Sequence, residues 1–171
     1  FGGAAGTSGD GLQSSTGSAV LTVTKASQTA PGKGEGYTIN YQTETISAQA
    51  DYELAKTDSA ASGFSSLTAT PGGTIYVRLA ETSTHNPSPW TAVTIPARPD
   101  APNVQGVNET VAGRNDGRIT GLTAGTLYEI SSDNGLHWAD AVLTGTEITG
   151  LAPGTYQVRD KSTADSFAGA A

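Results

Sequence analysis

Few side chains in this chain could take part in a reaction, and their spacing does not assemble a catalytic group. His85 and His137 are the only histidines, one in a polar loop and one in a hairpin, and neither has a second ligand at metal-binding spacing. There is no cysteine, which removes thiol nucleophiles, thiolate metal sites and disulfides together. Asn115-Asp116-Gly117 and Asp133-Asn134-Gly135 are turn formers and lack the alternating oxygen ligands of a calcium loop. No Ser-His-Asp order, phosphate loop or paired carboxylates can be drawn, so the chain is expected not to be an enzyme and to hold no cofactor or metal. Asn108-Glu109-Thr110 fits a glycosylation sequon.

Trp90 and Trp138 are the remaining candidates, as glycan contacts on an aromatic platform or as plugs in a core or interface. Trp138 closes the pattern Ser131-x-Asp133-x-Gly135-x-x-Trp138. There the carboxylate is suited to accept turn N–H bonds, the glycine to take positive φ and the indole to pack under a hairpin. Alternation puts Trp90, Ala92 and Thr94 opposite Val93 and Ile95 and leaves the buried face undecided.

The elements that hold these residues are strands. The 171 residues include 22 Gly and 8 Pro, which punctuate stretches rich in Thr, Val, Ile and Tyr. Strands are expected at 37–41, 45–48, 52–56, 66–70, 74–80 and 90–95, and again at 104–107, 118–120, 127–131, 141–143, 147–149 and 155–160. No window has a helical period. Pro96-Ala-Arg-Pro-Asp-Ala-Pro102 cannot continue a central strand and reads as a stiff joint. The chain is therefore divided into a Gly/Ser-rich extension over 1–35, a domain over 36–97 and a second over 98–171.

An internal repeat supports the division. Tyr52-Glu53-Leu54 matches Tyr128-Glu129-Ile130, and Gly73-Thr-Ile-Tyr-Val-Arg78 matches Gly154-Thr-Tyr-Gln-Val-Arg159. Pro71-Gly72-Gly73 and Pro153-Gly154 place a turn before the second of these strands. Ile75, Val77 and Val158 are the expected core positions. The first copy continues into Trp90-Thr-Ala-Val-Thr-Ile-Pro96, whereas the second ends in Ser162–Ala171 with no comparable strand. Ser18-Ala-Val-Leu-Thr-Val-Thr-Lys25 has the matching pattern, with Ala19, Leu21 and Val23 on one face and Val20, Thr22 and Thr24 on the other.

Residues 73–84, 90–99, 128–138 and 148–159 carry a resemblance. They resemble the Ig-like or fibronectin-III-like repeats of large Gram-positive cell-surface proteins, of pilin or stalk type, and the likeness spans roughly two-thirds of the chain. It implies an all-β architecture of two tandem Ig-like β-sandwich domains used as spacer, stalk or polymer module. Leu151–Asp160 is also similar to pilin-type collagen-binding-B modules, with Asp160 where that family often has Glu. A lysine to match it on a neighbouring first strand is not evident, and no isopeptide bond is expected. The Ser131–Trp138 pattern resembles the Asp-box of sialidase propellers, which is structural in that family.

With a net charge of −7 and nine Lys and Arg, the chain suits neither nucleic acid nor anionic membrane surfaces as partner. No apolar run approaches the ~20 residues of a membrane span. Methionine is absent even at position 1, which a cleaved signal peptide would explain, and a secreted, extracellular or cell-surface location is expected. The expected function is that of a structural subunit of an extracellular bacterial filament. Val20, Leu21 and Val23 would be donated as a strand to an identical neighbour. The alternative is a non-catalytic Ig-like spacer or carbohydrate-binding module of a larger surface protein, with host or matrix glycans as partners.

Overall fold

The computed structural model describes residues 20–171. The Gly/Ser-rich stretch and the first residues of the expected 18–25 strand lie outside the described residues.

Twelve short strands run β1 (Tyr37–Asn40), β2 (Thr45–Ala48), β3 (Tyr52–Ala55), β4 (Ser66–Thr68), β5 (Thr74–Leu79), β6 (Thr91–Thr94), β7 (Gln105–Val107), β8 (Gly117–Thr120), β9 (Tyr128–Ser131), β10 (Ala139–Asp140), β11 (Ile148–Leu151) and β12 (Gln157–Asp160). Among the described residues there is no helix, and all pairings between these strands are antiparallel. The strands begin where punctuation ends. Gly73 N–H donates to Thr70 C=O at 3.0 Å, with Pro71 and Gly72 (φ 74°) between them, a turn of type II geometry that feeds β5.

Four three-stranded sheets form, in the orders β1-β2-β4, β3-β5-β6, β11-β8-β7 and β10-β9-β12. The first two share one core through Ile46 of β2, Leu54 of β3, Ile75 and Val77 of β5, Val93 of β6 and Ile95. The other two share a second core built on Ile119, Leu122, Tyr128, Ile148 and Val158. The expected inward residues Ile75, Val77 and Val158 are all buried. One member of the first core comes from far along the chain. Phe167, fully buried, packs its ring edge-on against Tyr41 with centroids 4.8 Å apart. Arg98, in the proline-rich joint, donates to Ala168 C=O at 3.0 Å and to Glu44 at 2.6 Å.

Two expected strands differ from what forms. Residues 20–25 are not a strand: Leu21 is 88% and Val23 95% exposed, Val20 is similarly open, and no strand pairs with them among the described residues. Alternation supplies a face but no hydrogen-bonding neighbour, and an unpaired strand is not stable in water. The expected 141–143 strand instead pairs at Ala139–Asp140, opposite Ile130 and Glu129. The tight turn after Ser131 sets that register, while Ala141 and Leu143, the apolar residues that suggested a strand, pack on the second core from the side.

Candidate functional site

The two halves repeat one plan, with a difference at the edge of one sheet. β3 and β5 correspond to β9 and β12, since the matching residues Glu53 and Arg78 pair across one as Glu129 and Arg159 do across the other. In the first half β6 lies along the far side of β5, with Val93 opposite Ile75 and Thr91 opposite Val77. In the second half β12 has β9 on one side, and no strand lies along its other side among the described residues.

The open edge can be located by parity. Lys161 N–H donates to Leu127 C=O at 2.9 Å, as Ala80 does to Asp51 in the first half. Residues 157, 159 and 161 therefore bond toward β9, and the N–H and C=O groups of Tyr156 and Val158 point outward. The outer edge is closed at one point, where Gly169 N–H donates to Asp160 C=O at 2.9 Å. The equivalent contact in the first half is Ser88 N–H to Leu79 C=O. Beside this stretch lies a cavity of about 280 Å³ with a mixed lining, apolar at Val107, Ile119, Leu151 and Tyr156 and polar at Glu109 and Arg118. Gly117 is required there: a Cβ would stand 2.8 Å from Leu151 C=O. Leu151 follows a bulge at Gly150, whose φ of 78° suits glycine.

The donor-like residues Val20, Leu21 and Val23 project into solvent, and the chain becomes anchored immediately after them. Lys25 Nζ pairs with Glu81 at 2.5 Å, Ala26 N–H donates to Thr84 C=O at 2.9 Å, and Asn86 N–H donates to Ala26 C=O at 2.8 Å. Gln28 donates to Ala80 and Asn86 C=O. All these partners lie in the β5–β6 connection of the first half.

Trp90 and Trp138 occupy matching positions in the two halves although they come from different loops. Each stacks on the arginine of its repeat: Arg78 lies 4.2 Å from the Trp90 ring centroid and Arg159 4.0 Å from that of Trp138. Each arginine is paired with its cross-strand glutamate, Arg78 to Glu53 at 2.6 Å and Arg159 to Glu129 at 2.8 Å. Trp90 Nε1–H donates to Ala60 C=O and Arg78 to Ala61 C=O. One ring face of each indole therefore rests on a guanidinium, and both tryptophans are half-buried. The Glu-Arg half of this group was visible in the repeat, but nothing in the sequence coupled either tryptophan to it.

The Ser131–Trp138 hairpin is closed by its own polar groups. Asp133 accepts from His137 N–H at 3.0 Å and from Ser131 Oγ at 2.7 Å, and Asp133 and His137 Nδ1 meet at 2.6 Å. The His137 N–H, then the His137 ring and the Ser131 hydroxyl, hold the Asp133 carboxyl well below the usual carboxylate range. Asn134 and Gly135 both have positive φ. His137 is thereby engaged within the turn, and His85 lies beside Thr84 in the anchoring loop. Among the described residues no group of three or more His, Asp or Glu could hold a metal ion, and no helix is long and apolar enough to cross a membrane. Asp160, aligned with the isopeptide position, lies at the end of β12, and the adjacent Lys161 is paired with Asp140.

No protein-family model matches the chain, and no curated protein matches its sequence.

Proposed function

We propose that this chain is a structural subunit of an extracellular bacterial filament or surface fibre, made of two tandem Ig-like β-sandwich domains and polymerising by donation of its N-terminal strand to an identical subunit. The observation that carries this reading is a sheet edge and an apolar segment that are both without a strand partner among the described residues. There, no strand lies along the outer edge of β12 where β6 lies beside β5, and a cavity adjoins that edge. The segment that shares the β6 pattern, with Val20, Leu21 and Val23, stands exposed. A sheet edge and an apolar strand in water both gain from joining, through main-chain hydrogen bonds and apolar burial. A donor at one end and an acceptor in the other half form a heterologous contact, which builds filaments when it does not close. The extracellular setting is supported by the lack of cysteine and the acidic, strand-rich composition.

A second reading, a spacer in a larger surface protein, is favoured by the joints. Residues 25–28 pack on the loop after β5 much as Arg98 and Pro99 bond to Ala168 and Ala170 after β12, as in an array with a repeating joint.

Sedimentation and electron microscopy of the purified chain decide between them. Concentration-dependent assembly of the full chain, with monomers after deletion of residues 1–24, is the expected result. That deletion leaves the Lys25 anchor in place. A 171-residue chain that remains monomeric at high concentration overturns donation and leaves the spacer.

A further inference from the structure

We infer that the loop over 161–170 is an interdomain latch, which carries Phe167 from the second half into the core of the first and, with Arg98, holds the two halves in one orientation. The inference goes beyond both functional readings above, because it concerns the joint at 96–102 and does not depend on assembly.

The loop is built as an arm on β12. Gly169 N–H donates to Asp160 C=O at 2.9 Å and ties the returning chain to the end of that strand. A Cβ on Gly169 would stand 3.1 Å from Asp160 N, so the return lies flush against β12. Within the loop Thr163 N–H donates to Ser166 C=O at 2.9 Å, and Asp165 N–H donates to Thr163 Oγ1 at 3.2 Å. The backbone is thus held on both sides of Phe167, and Phe167, Ala168 and Gly169 are all buried.

The arm ends in the other half. Phe167 joins the core of Ile46, Leu54 and Val77 and meets the Tyr41 ring. Arg98 lies beside this plug and reaches both halves. Its Nη2 donates to Glu44, in the turn between β1 and β2, at 2.6 Å, and its Nη1 donates to Ala168 C=O at 3.0 Å. Ala170 N–H donates to Pro99 C=O at 2.9 Å and fastens the arm to the joint itself. Pro96, Pro99 and Pro102 restrict the joint's own dihedral angles. Halves connected by a linker alone move relative to one another. Here a buried aromatic side chain and a two-sided arginine span the same gap.

The first half shows the same loop without the aromatic residue. Ser88 N–H donates to Leu79 C=O as Gly169 does to Asp160, which puts Asn86 at the place of Phe167. Asn86 is exposed and reaches residues 25 and 26 by hydrogen bonds, from Nδ2 to Lys25 C=O at 3.1 Å and from N–H to Ala26 C=O at 2.8 Å. Phe167 is therefore what turns a loop contact into a latch.

The lack of cysteine allows the orientation to be measured directly. Ala92 on β6 and Thr149 on β11 are exposed strand residues, one in each half. Spin labels on A92C and T149C report the distance between the halves by double electron–electron resonance. Labelled chains are diluted into unlabelled parent so that only distances within one chain are read. The expected result is one narrow distribution in the parent. It should widen at least about twofold in F167A and in R98A, as the joint reverts to a proline-rich linker. F167A also removes core volume, so R98A, at a side chain one-third exposed, tests the latch with both cores intact. Unchanged tryptophan fluorescence and strand circular dichroism confirm that R98A is folded. A broad distribution in the parent overturns the latch. A narrow distribution that persists in both variants overturns it too and assigns the orientation to the prolines. A narrow distribution in R98A beside a broad one in folded F167A overturns the part given to Arg98 and leaves the plug.

Discussion

Among the described residues, Glu53, Arg78 and Trp90 form the most buried ionic group, with side-chain exposures of 10% for Arg78 and 18% for Glu53. The homologous group of Glu129, Arg159 and Trp138 is more open at Arg159, at 24%, and lacks the carbonyl partners that Ala60 and Ala61 provide in the first half. Removing the carboxylate should therefore have unequal effects. Glu53→Ala leaves a guanidinium that is desolvated and short of acceptors, a loss of about 3 kcal/mol. Glu129→Ala leaves one that water can reach, and the loss should be nearer ~1 kcal/mol. Urea unfolding of the two variants checks the order, and equal losses would mean that the stack, not burial, sets the contribution. The same geometry bears on glycans. An indole with one face on a guanidinium has a single face left for a sugar, so Trp90 and Trp138 serve their own sheets first.

At the scale of elements, the β9–β10 hairpin is held by a charge. The Asp133 carboxyl is ionised more readily in the folded chain than in the unfolded one, chiefly through the His137 N–H. A carboxylate with a depressed folded value contributes stability above its unfolded value near pH 4, and that contribution fades as the pH falls through the folded value. Asp133→Ala should accordingly melt below the parent at neutral pH, and the gap should narrow as the pH is taken below about 4. A gap that stays constant down to strongly acidic pH would show that the turn relies on Ser131 and the Asn134-Gly135 backbone instead. Most of the elements were legible in the sequence because their determinants are local: alternation along β5 and β12, Pro71-Gly72 before β5 and Asn134-Gly135 in the hairpin each act within a few residues. β10 was misplaced because its register is set by the turn before it, while Ala141 and Leu143 are apolar for a different reason, contact with the core from a loop.

At the scale of the whole molecule, the C-terminal segment does not stay with the half it follows. Phe167 fills the first core beside Tyr41, Ala170 N–H donates to Pro99 C=O at 2.9 Å, and Arg98 joins Glu44 to Ala168. Phe167→Ala should therefore destabilise the half that contains Trp90 by about 3–5 kcal/mol, the range for removing a buried phenylalanine. With Trp138→Phe as background, Trp90 is the sole tryptophan, and its fluorescence during denaturation reports that half. An unaltered Trp90 transition would show that the first core closes without Phe167.

The amino-acid sequence by itself determined the all-β class, the positions of most strands, the repeat and the inward residues Ile75, Val77 and Val158, because short-range sterics and period-two burial decide these without reference to distant parts of the chain. Tertiary structure alone decided the rest. The matching pattern at 20–23 could not reveal that Leu21 and Val23 lie in water, since a strand exists only where a second backbone meets it. Phe167 lies among Ser, Ala and Gly and carries no periodic signal, and its burial depends on Tyr41, contributed by the other half of the chain. Each tryptophan found its arginine by the same long-range route, through sheet packing that no local spacing encodes.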